Sequence, residues 1–199
     1  VLFFHGGGYC IGSLSTHRSF VGRLAEASGV TCVAFDYRLA PEHRFPVAVD
    51  DAVAAYRALL RDGYTANRIV IAGDSAGGGL ALAAIAALRD SGDALPAAGV
   101  CLSPWTDLAM TGASIDAKAP EDPLLAPWEL HAFVRQYLNG ADARNSLASP
   151  LYADYRGFPP LLIHVGDAEV LRDDSTRLAQ RARDAGVDVT FRLEAEMVH

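Results

Sequence analysis

The chain reads Ile69-Val70-Ile71-Ala72-Gly73-Asp74-Ser75-Ala76-Gly77 where a short apolar run meets a Gly-x-Ser-x-Gly motif. The run predicts a buried strand, and the alanine-rich stretch that continues to about Arg89 predicts a helix buried on most sides. Glycines two positions from Ser75 on either side leave room for the chain to cross itself in a sharp turn that strains the central residue. The segment therefore predicts a nucleophile elbow, with a tight turn and an N-cap serine as the alternative interpretation.

A second glycine-rich motif, His5-Gly6-Gly7-Gly8, follows the apolar residues at the start of the chain. Consecutive glycines let backbone N–H groups approach a substrate carbonyl with no side chain in the way, as a hole for an oxyanion requires. We predict the amides of Gly7 and Gly8 as its donors, joined by that of Ala76 directly after the serine. A flexible loop or a phosphate cradle is the alternative, but the segment lacks the Gly-Lys-Ser/Thr ending of a P-loop and the Gly-x-Gly-x-x-Gly spacing.

Short apolar runs alternate with stretches of helical period along the chain. This pattern predicts a single α/β unit over residues 1–199, with a mostly parallel sheet and helices on both faces. Residues 105–156 carry prolines and one amphipathic stretch, and we interpret them as an excursion that adds one helix and part of a pocket wall. The predicted strands cover residues 1–4, 30–35, 69–72, 99–103, 161–165 and 189–193.

The composition argues against several classes of partner. Of the 199 residues, 51% are hydrophobic, and the formal net charge is -7. Nucleic acids and anionic membrane surfaces both bind clustered Lys and Arg, so an acidic chain leaves a neutral small molecule as the expected partner. No apolar run approaches the ~20 residues of a membrane span.

Three cysteines, Cys10, Cys32 and Cys101, are widely spaced among apolar residues, which is typical of buried free thiols in a reducing compartment. We therefore predict a cytoplasmic protein and leave an upstream signal peptide open. The chain begins within a predicted strand and ends at His199, so both ends are expected to be cut from a longer protein.

With both glycine motifs in place, the chain resembles the hormone-sensitive-lipase-like branch of the α/β-hydrolases, which includes bacterial esterases and arylacetamide deacetylases. The resemblance implies an α/β-hydrolase fold, here truncated at both ends, that hydrolyses carboxylic esters of short to medium acyl length without a metal or an organic cofactor. It also implies an N-terminal helical cap, which is absent here together with the first strands. The segments that carry the resemblance are residues 5–8, Asp36-Tyr37-Arg38-Leu39-Ala40-Pro41-Glu42, residues 73–78, Ser103-Pro104-Trp105-Thr106-Asp107, Glu169-Val170-Leu171 and Met197-Val198-His199.

The resemblance further implies a base after the last strand and an acid after the strand before it. His199 is the only histidine beyond residues 189–193 and takes the place of the base. Glu169 takes the place of the acid, where relatives commonly have Asp, and its longer side chain can still reach an imidazole. Asp173 stays open as an alternative acid, with helix capping as its structural interpretation. His164 lies inside an apolar strand, which favours a packed core role.

The leading hypothesis is a serine hydrolase in which Ser75 attacks an ester carbonyl, His199 takes its proton and Glu169 stabilises the imidazolium. An amidase or deacetylase with the same triad is an alternative, because leaving-group preference depends on pocket shape. A ligand receptor without turnover is a further alternative, but receptors of that branch lack the histidine that this chain keeps. The expected partner is a small-molecule ester, without nucleic acid or metal, and a homodimer is an assembly that the sequence allows.

Overall fold

Six parallel strands form one sheet, and the structure, a computed structural model, describes residues 1–199. All six predicted strands are present, although the second is shorter than predicted, and the predicted α/β fold is confirmed. The strands are β1 (Leu2–Phe4), β2 (Val33–Ala34), β3 (Val70–Asp74), β4 (Ala98–Leu102), β5 (Leu161–Gly166) and β6 (Val189–Glu194). They lie side by side in the order β2-β1-β3-β4-β5-β6.

The register of the sheet brings the carboxyl ends of its central strands into line. Asp74 at the end of β3 pairs with Leu102 at the end of β4, and Leu102 pairs with His164 near the end of β5. Phe4 at the end of β1 pairs with Gly73 of β3. Loops that leave a parallel sheet at one edge can share a binding crevice there, so this edge is where a site is expected.

Six helices connect the strands. They are α1 (Leu14–Ser28), α2 (Val47–Arg61), α3 (Ala76–Asp90), α4 (Ser114–Ala117), α5 (Pro127–Leu138) and α6 (Arg172–Asp184), with single 3-10 turns at Ala66–Arg68 and Pro150–Tyr152. Residues 105–156 thus contain a four-residue helix in addition to the one predicted. No helix is both long enough and apolar enough to cross a membrane.

The helices lie on both faces of the sheet, as predicted. Leu2 and Phe4 of β1 belong to the main core cluster with α2 and α3, and Leu178 of α6 joins the same cluster. Successive side chains of a strand point to opposite faces, so Phe3 points to the other side, where its ring centroid is 5.6 Å from that of Phe20 in α1. Helix α1 therefore covers the face opposite α3.

Helix α3 is the centre of the core. Twelve of its fifteen residues are buried, which confirms the predicted helix buried on most sides. Its small residues let other backbone segments approach, since a side chain at Gly79 would place a Cβ 2.2 Å from the carbonyl oxygen of Trp105. The close packing holds the first turn of α3 firmly against the loop that follows β4.

That loop is also tied to α6 by a buried carboxylate. Asp174 Oδ2 accepts hydrogen bonds from the amides of Thr106 and Asp107 at 2.8 and 2.9 Å, and Asp174 Oδ1 accepts one from Arg177 at 2.9 Å. A buried carboxylate is tolerated only when its oxygens are paired in this way. The loop after β4 and the start of α6 are therefore held as one unit.

Candidate active site

Ser75 occupies a strained turn at the carboxyl end of β3. Its backbone has φ 53° and ψ -123°, a conformation that non-glycine residues rarely adopt. A side chain at Gly73 would put a Cβ 2.2 Å from the carbonyl oxygen of Gly77, and one at Gly77 would put it 2.1 Å from that of Phe4. The two glycines are thus required because three backbone segments meet here. The Ser75 amide donates to the carbonyl of Leu102 at 2.8 Å and fixes the turn to β4.

The loop at residues 5–8 lies against this turn. A side chain at Gly6 would place a Cβ 3.1 Å from Ser75 Cβ. Gly7 and Gly8 have φ 121° and 60°, and the amides of Gly7, Gly8 and Ala76 donate to no protein acceptor. Unpaired backbone amides beside a serine at a helix N-terminus are suited to bind an oxyanion.

Two aromatic residues support the loop from outside. The hydroxyl of Tyr37 donates to the carbonyl of His5 at 2.7 Å, and the two rings stack with centroids 4.4 Å apart. Phe133 of α5 lies so close to the loop that a Cβ on Gly8 would be 2.4 Å from its ring. The segment between β4 and β5 therefore sets the outer side of the predicted oxyanion hole.

His199 and Glu169 form a direct pair. The imidazole Nδ1 of His199 lies 2.7 Å from Glu169 Oε2. Glu169 is fully buried, and its Oε1 accepts hydrogen bonds from the hydroxyl of Ser103 at 2.7 Å and the amide of Gly166 at 2.6 Å. Three donors thus hold a carboxylate that has no contact with water.

The alternative acid contacts other groups. Asp173 Oδ2 accepts a hydrogen bond from the amide of Ser114 at 2.9 Å, and its Oδ1 lies 3.1 Å from the guanidinium of Arg172. These contacts tie the first turn of α6 to α4. Of the two carboxylates considered for the acid, only Glu169 contacts His199.

Ser75 and His199 line one cavity of about 540 Å³. Apolar side chains from separate parts of the chain form much of its wall, among them Phe20, Leu124 and Met197. No hydrogen bond joins Ser75 Oγ to His199 in this structure, and such bonds often tighten only when substrate is bound. No cluster of three or more His, Cys, Asp or Glu side chains is arranged to hold a metal ion.

The core role predicted for His164 is wrong. Its side chain is 37% exposed, its Nε2 lies 3.0 Å from Glu194 Oε1, and it lines the same cavity as Ser75. The reason is the pleat of β5, which buries Ile163 and Val165 on the α3 side and turns His164 to the opposite face.

Ser103 is a site residue that sequence reasoning did not single out. It follows β4 directly, has φ 45°, and donates from its amide to the carbonyl of His164 at 2.7 Å while its hydroxyl holds Glu169. The position of Ser103 in the sequence could have identified it, because a polar residue at the carboxyl end of a central strand lies at the edge of the sheet where binding sites form.

With the geometry established, comparison with known proteins identifies the family. A family profile described as the alpha/beta hydrolase fold matches residues 1–199. The chain belongs to the α/β-hydrolase fold family. The crystal structure of an esterase from the bacterial hormone-sensitive lipase family superposes with a TM-score of 0.98 at 50% sequence identity, covering 100% of this chain and 67% of that one.

Two further relatives of this α/β hydrolase have names that describe ester cleavage. An acetyl-hydrolase of Streptomyces hygroscopicus is 50% identical over 199 residues, which are 100% of this chain and 67% of the relative. An ethyl acetate hydrolase of Pseudomonas putida is 34% identical over 208 residues, covering 100% of this chain and 64% of the relative. The chain thus spans about two thirds of the length of these relatives.

Replacing Ser103 with Ala in this α/β hydrolase removes one of the three hydrogen bonds that hold Glu169. We expect kcat for a nitrophenyl ester to fall about tenfold with KM nearly unchanged, because a hydrogen bond to a charged group contributes ~1.5 kcal/mol or more. Steady-state kinetics measures the effect, and Ser91→Ala at the exposed end of α3 is the matched control. An unchanged kcat would show that Glu169 is oriented without Ser103.

Proposed function

We propose that the protein hydrolyses carboxylic esters of short to medium acyl length through an acyl-enzyme intermediate on Ser75. The observation that carries the proposal is the contact of the buried Glu169 with His199, 2.7 Å from Oε2 to Nδ1, where His199 lines the same cavity as a serine on a strained elbow. The chain's family and its esterase relatives support the same reaction.

The proposed mechanism begins with the tautomer of His199. The Glu169 carboxylate can only accept, so Nδ1 of His199 carries the hydrogen and Nε2 keeps a lone pair that serves as general base. Nε2 takes the proton of Ser75 as Oγ attacks the ester carbonyl, and Glu169 stabilises the imidazolium that forms. His199 then returns the proton to the leaving alcohol, and water releases the acyl group in a second round.

The negative charge that develops on the carbonyl oxygen needs donors that are already in place. The amides of Gly7, Gly8 and Ala76 are proposed for this role, because none is engaged elsewhere in the protein and all lie beside the elbow. Preorganised donors of this kind are worth ~100- to 1000-fold in rate each.

The expected substrate class follows from the cavity and the relatives. A cavity of about 540 Å³ with apolar walls suits a small neutral ester better than a charged one. The relatives named acetyl-hydrolase and ethyl acetate hydrolase support short acyl groups.

A cytoplasmic location and a homodimer stay predictions. An amidase or deacetylase would use the same residues, and parallel assays on matched ester and anilide substrates separate the two activities.

The nucleophile is tested by Ser75→Ala. We expect kcat to fall by about 10⁶-fold, to the level that an oxyanion hole and binding alone support. Circular dichroism should show an unchanged fold, since the change removes only a hydroxyl. Ser28→Ala in the last turn of α1 is the matched control. Turnover retained by Ser75→Ala would exclude Ser75 as the nucleophile.

The acid is tested by comparing Glu169→Gln with Asp173→Asn. Glu169→Gln keeps the shape of the side chain but loses the charge that stabilises the imidazolium, so kcat should fall by ~10⁴-fold. Asp173→Asn should leave kcat nearly unchanged and cost ~1 kcal/mol of stability at most. Kinetics and denaturant unfolding of both variants give the answer. The reverse pattern would make Asp173 the acid of the triad.

A further inference from the structure

A second carboxylate–imidazole pair lies beside the nucleophile, and the mechanism above does not use it. Asp74 immediately precedes Ser75, and its Oδ2 lies 3.3 Å from Nε2 of His17 in α1. The other oxygen, Oδ1, accepts a hydrogen bond from the amide of Gly6 at 2.9 Å. Asp74 and His17 both line the cavity that contains Ser75. Asp74 thus connects the elbow, the glycine loop and α1.

The hydrogen bonds around His17 determine its protonation. The hydroxyl of Thr16 has a single hydrogen, and the carbonyl of Ser13 lies 2.8 Å away to accept it. His17 Nδ1 lies 2.8 Å from the same hydroxyl oxygen and supplies the hydrogen of that contact when the ring is protonated. The carboxylate of Asp74 only accepts, so Nε2 must carry a hydrogen as well. The hydrogen bond with Asp74 raises the pKa of His17 above the ordinary value, which favours the imidazolium form.

The titratable groups near the Asp74–His17 pair do not compete with it for hydrogen bonds. His5 faces His17 with ring centroids 5.4 Å apart, and its Nδ1 donates to the carbonyl of Gly6 at 2.7 Å. Burial lowers the pKa of His5, which favours the neutral ring. Asp36 is engaged by the amide of Leu14 at 2.6 Å. The positive charge of His17 is therefore balanced directly by Asp74.

The glycine loop needs an anchor of this kind. Three consecutive glycines have little conformational preference of their own, and ordering them costs more backbone entropy than ordering other residues. The hydrogen bond from the Gly6 amide to Asp74 fixes the peptide unit that joins His5 to Gly6, where the glycine loop begins. The next two peptide units are held at their carbonyls, that of Gly6 by His5 Nδ1 and that of Gly7 by the amides of Cys10 and Ile11. The Asp74 carboxylate adds the anchor at the start of the loop and so helps to set the orientation of the Gly7 and Gly8 amides.

We propose that Asp74 and His17 are positioning residues of the oxyanion hole: the imidazolium of His17 holds the Asp74 carboxylate, which anchors the glycine loop through the Gly6 amide. This inference rests on the proposed ester hydrolysis.

The positioning role of the Asp74–His17 pair leads to a specific pH dependence of kcat. The ion pair is complete below the raised pKa of His17 and is lost as the pH rises through that pKa, so kcat should decline on the alkaline side. A decline on the acidic side would report the general base and does not involve this pair.

The test compares wild type, His17→Gln, Asp74→Asn and, as a control on the exposed face of α5, His131→Gln. For each we would measure kcat and KM for a nitrophenyl ester as a function of pH, with circular dichroism to verify the fold. We expect His17→Gln and Asp74→Asn to lower kcat about tenfold with little change in KM, since misplaced oxyanion donors affect the transition state and not ground-state binding. Both variants should lose the alkaline decline but keep the acidic limb.

Each outcome separates this inference from the proposed function. If wild type does not hydrolyse esters, the proposed function fails. If wild type hydrolyses esters and both variants keep its kcat and its alkaline decline, only the positioning role of Asp74 and His17 is overturned. If His17→Gln does not fold, Asp74→Asn decides alone, because its amide oxygen can still accept from Gly6 while the charge that holds His17 protonated is gone. A fall in kcat without any change in the alkaline limb would also contradict the inference.

Discussion

The close approach of three backbone segments at the elbow is the constraint on which the rest of the site depends. The end of β1, the end of β3 and the first turn of α3 meet with so little space that neither Gly73 nor Gly77 can carry a side chain. This crowding holds Ser75 at φ 53° and presents its hydroxyl at the helix N-terminus. It also brings the glycine loop after β1 against the serine. The strain is sustained because α3 is buried along most of its length.

The need to pair buried carboxylates is a second constraint on the same edge of the sheet. A fully buried carboxylate must be paired, and Glu169 is paired with His199 after β6, Ser103 after β4 and Gly166 at the end of β5. Asp174 does the same for the loop after β4. The acidic residues of this part of the chain therefore link separate loops, and each carboxylate has a distinct set of donors. Glu169 holds His199 from the buried side, and His199 lines the same cavity as the serine at the end of β3.

Local patterns in the sequence were sufficient for the fold, whereas Glu169 and His199 were expected from the family resemblance, with Asp173 left open as the acid. The apolar runs located all six strands, and the two glycine motifs marked where backbones approach closely. Helix α1 was missed because none of its residues is buried, so no apolar stripe identifies it. His164 was misassigned because a run of apolar neighbours conceals the period-two alternation of β5. Ser103 and His17 act through contacts with residues 66 and 57 positions away, which no local pattern can reveal.

In the proposed reaction, the Ser75 hydroxyl is the nucleophile and the amides of Gly7, Gly8 and Ala76 bind the developing oxyanion. A crystal structure of the protein after reaction with a nitrophenyl alkylphosphonate tests both parts at once, because the adduct resembles the tetrahedral intermediate. We expect a covalent bond from Ser75 Oγ to phosphorus, with the phosphoryl oxygen about 2.7–3.1 Å from those amides. Phosphonate attached to another residue, or a phosphoryl oxygen that points to solvent away from residues 7, 8 and 76, would contradict it.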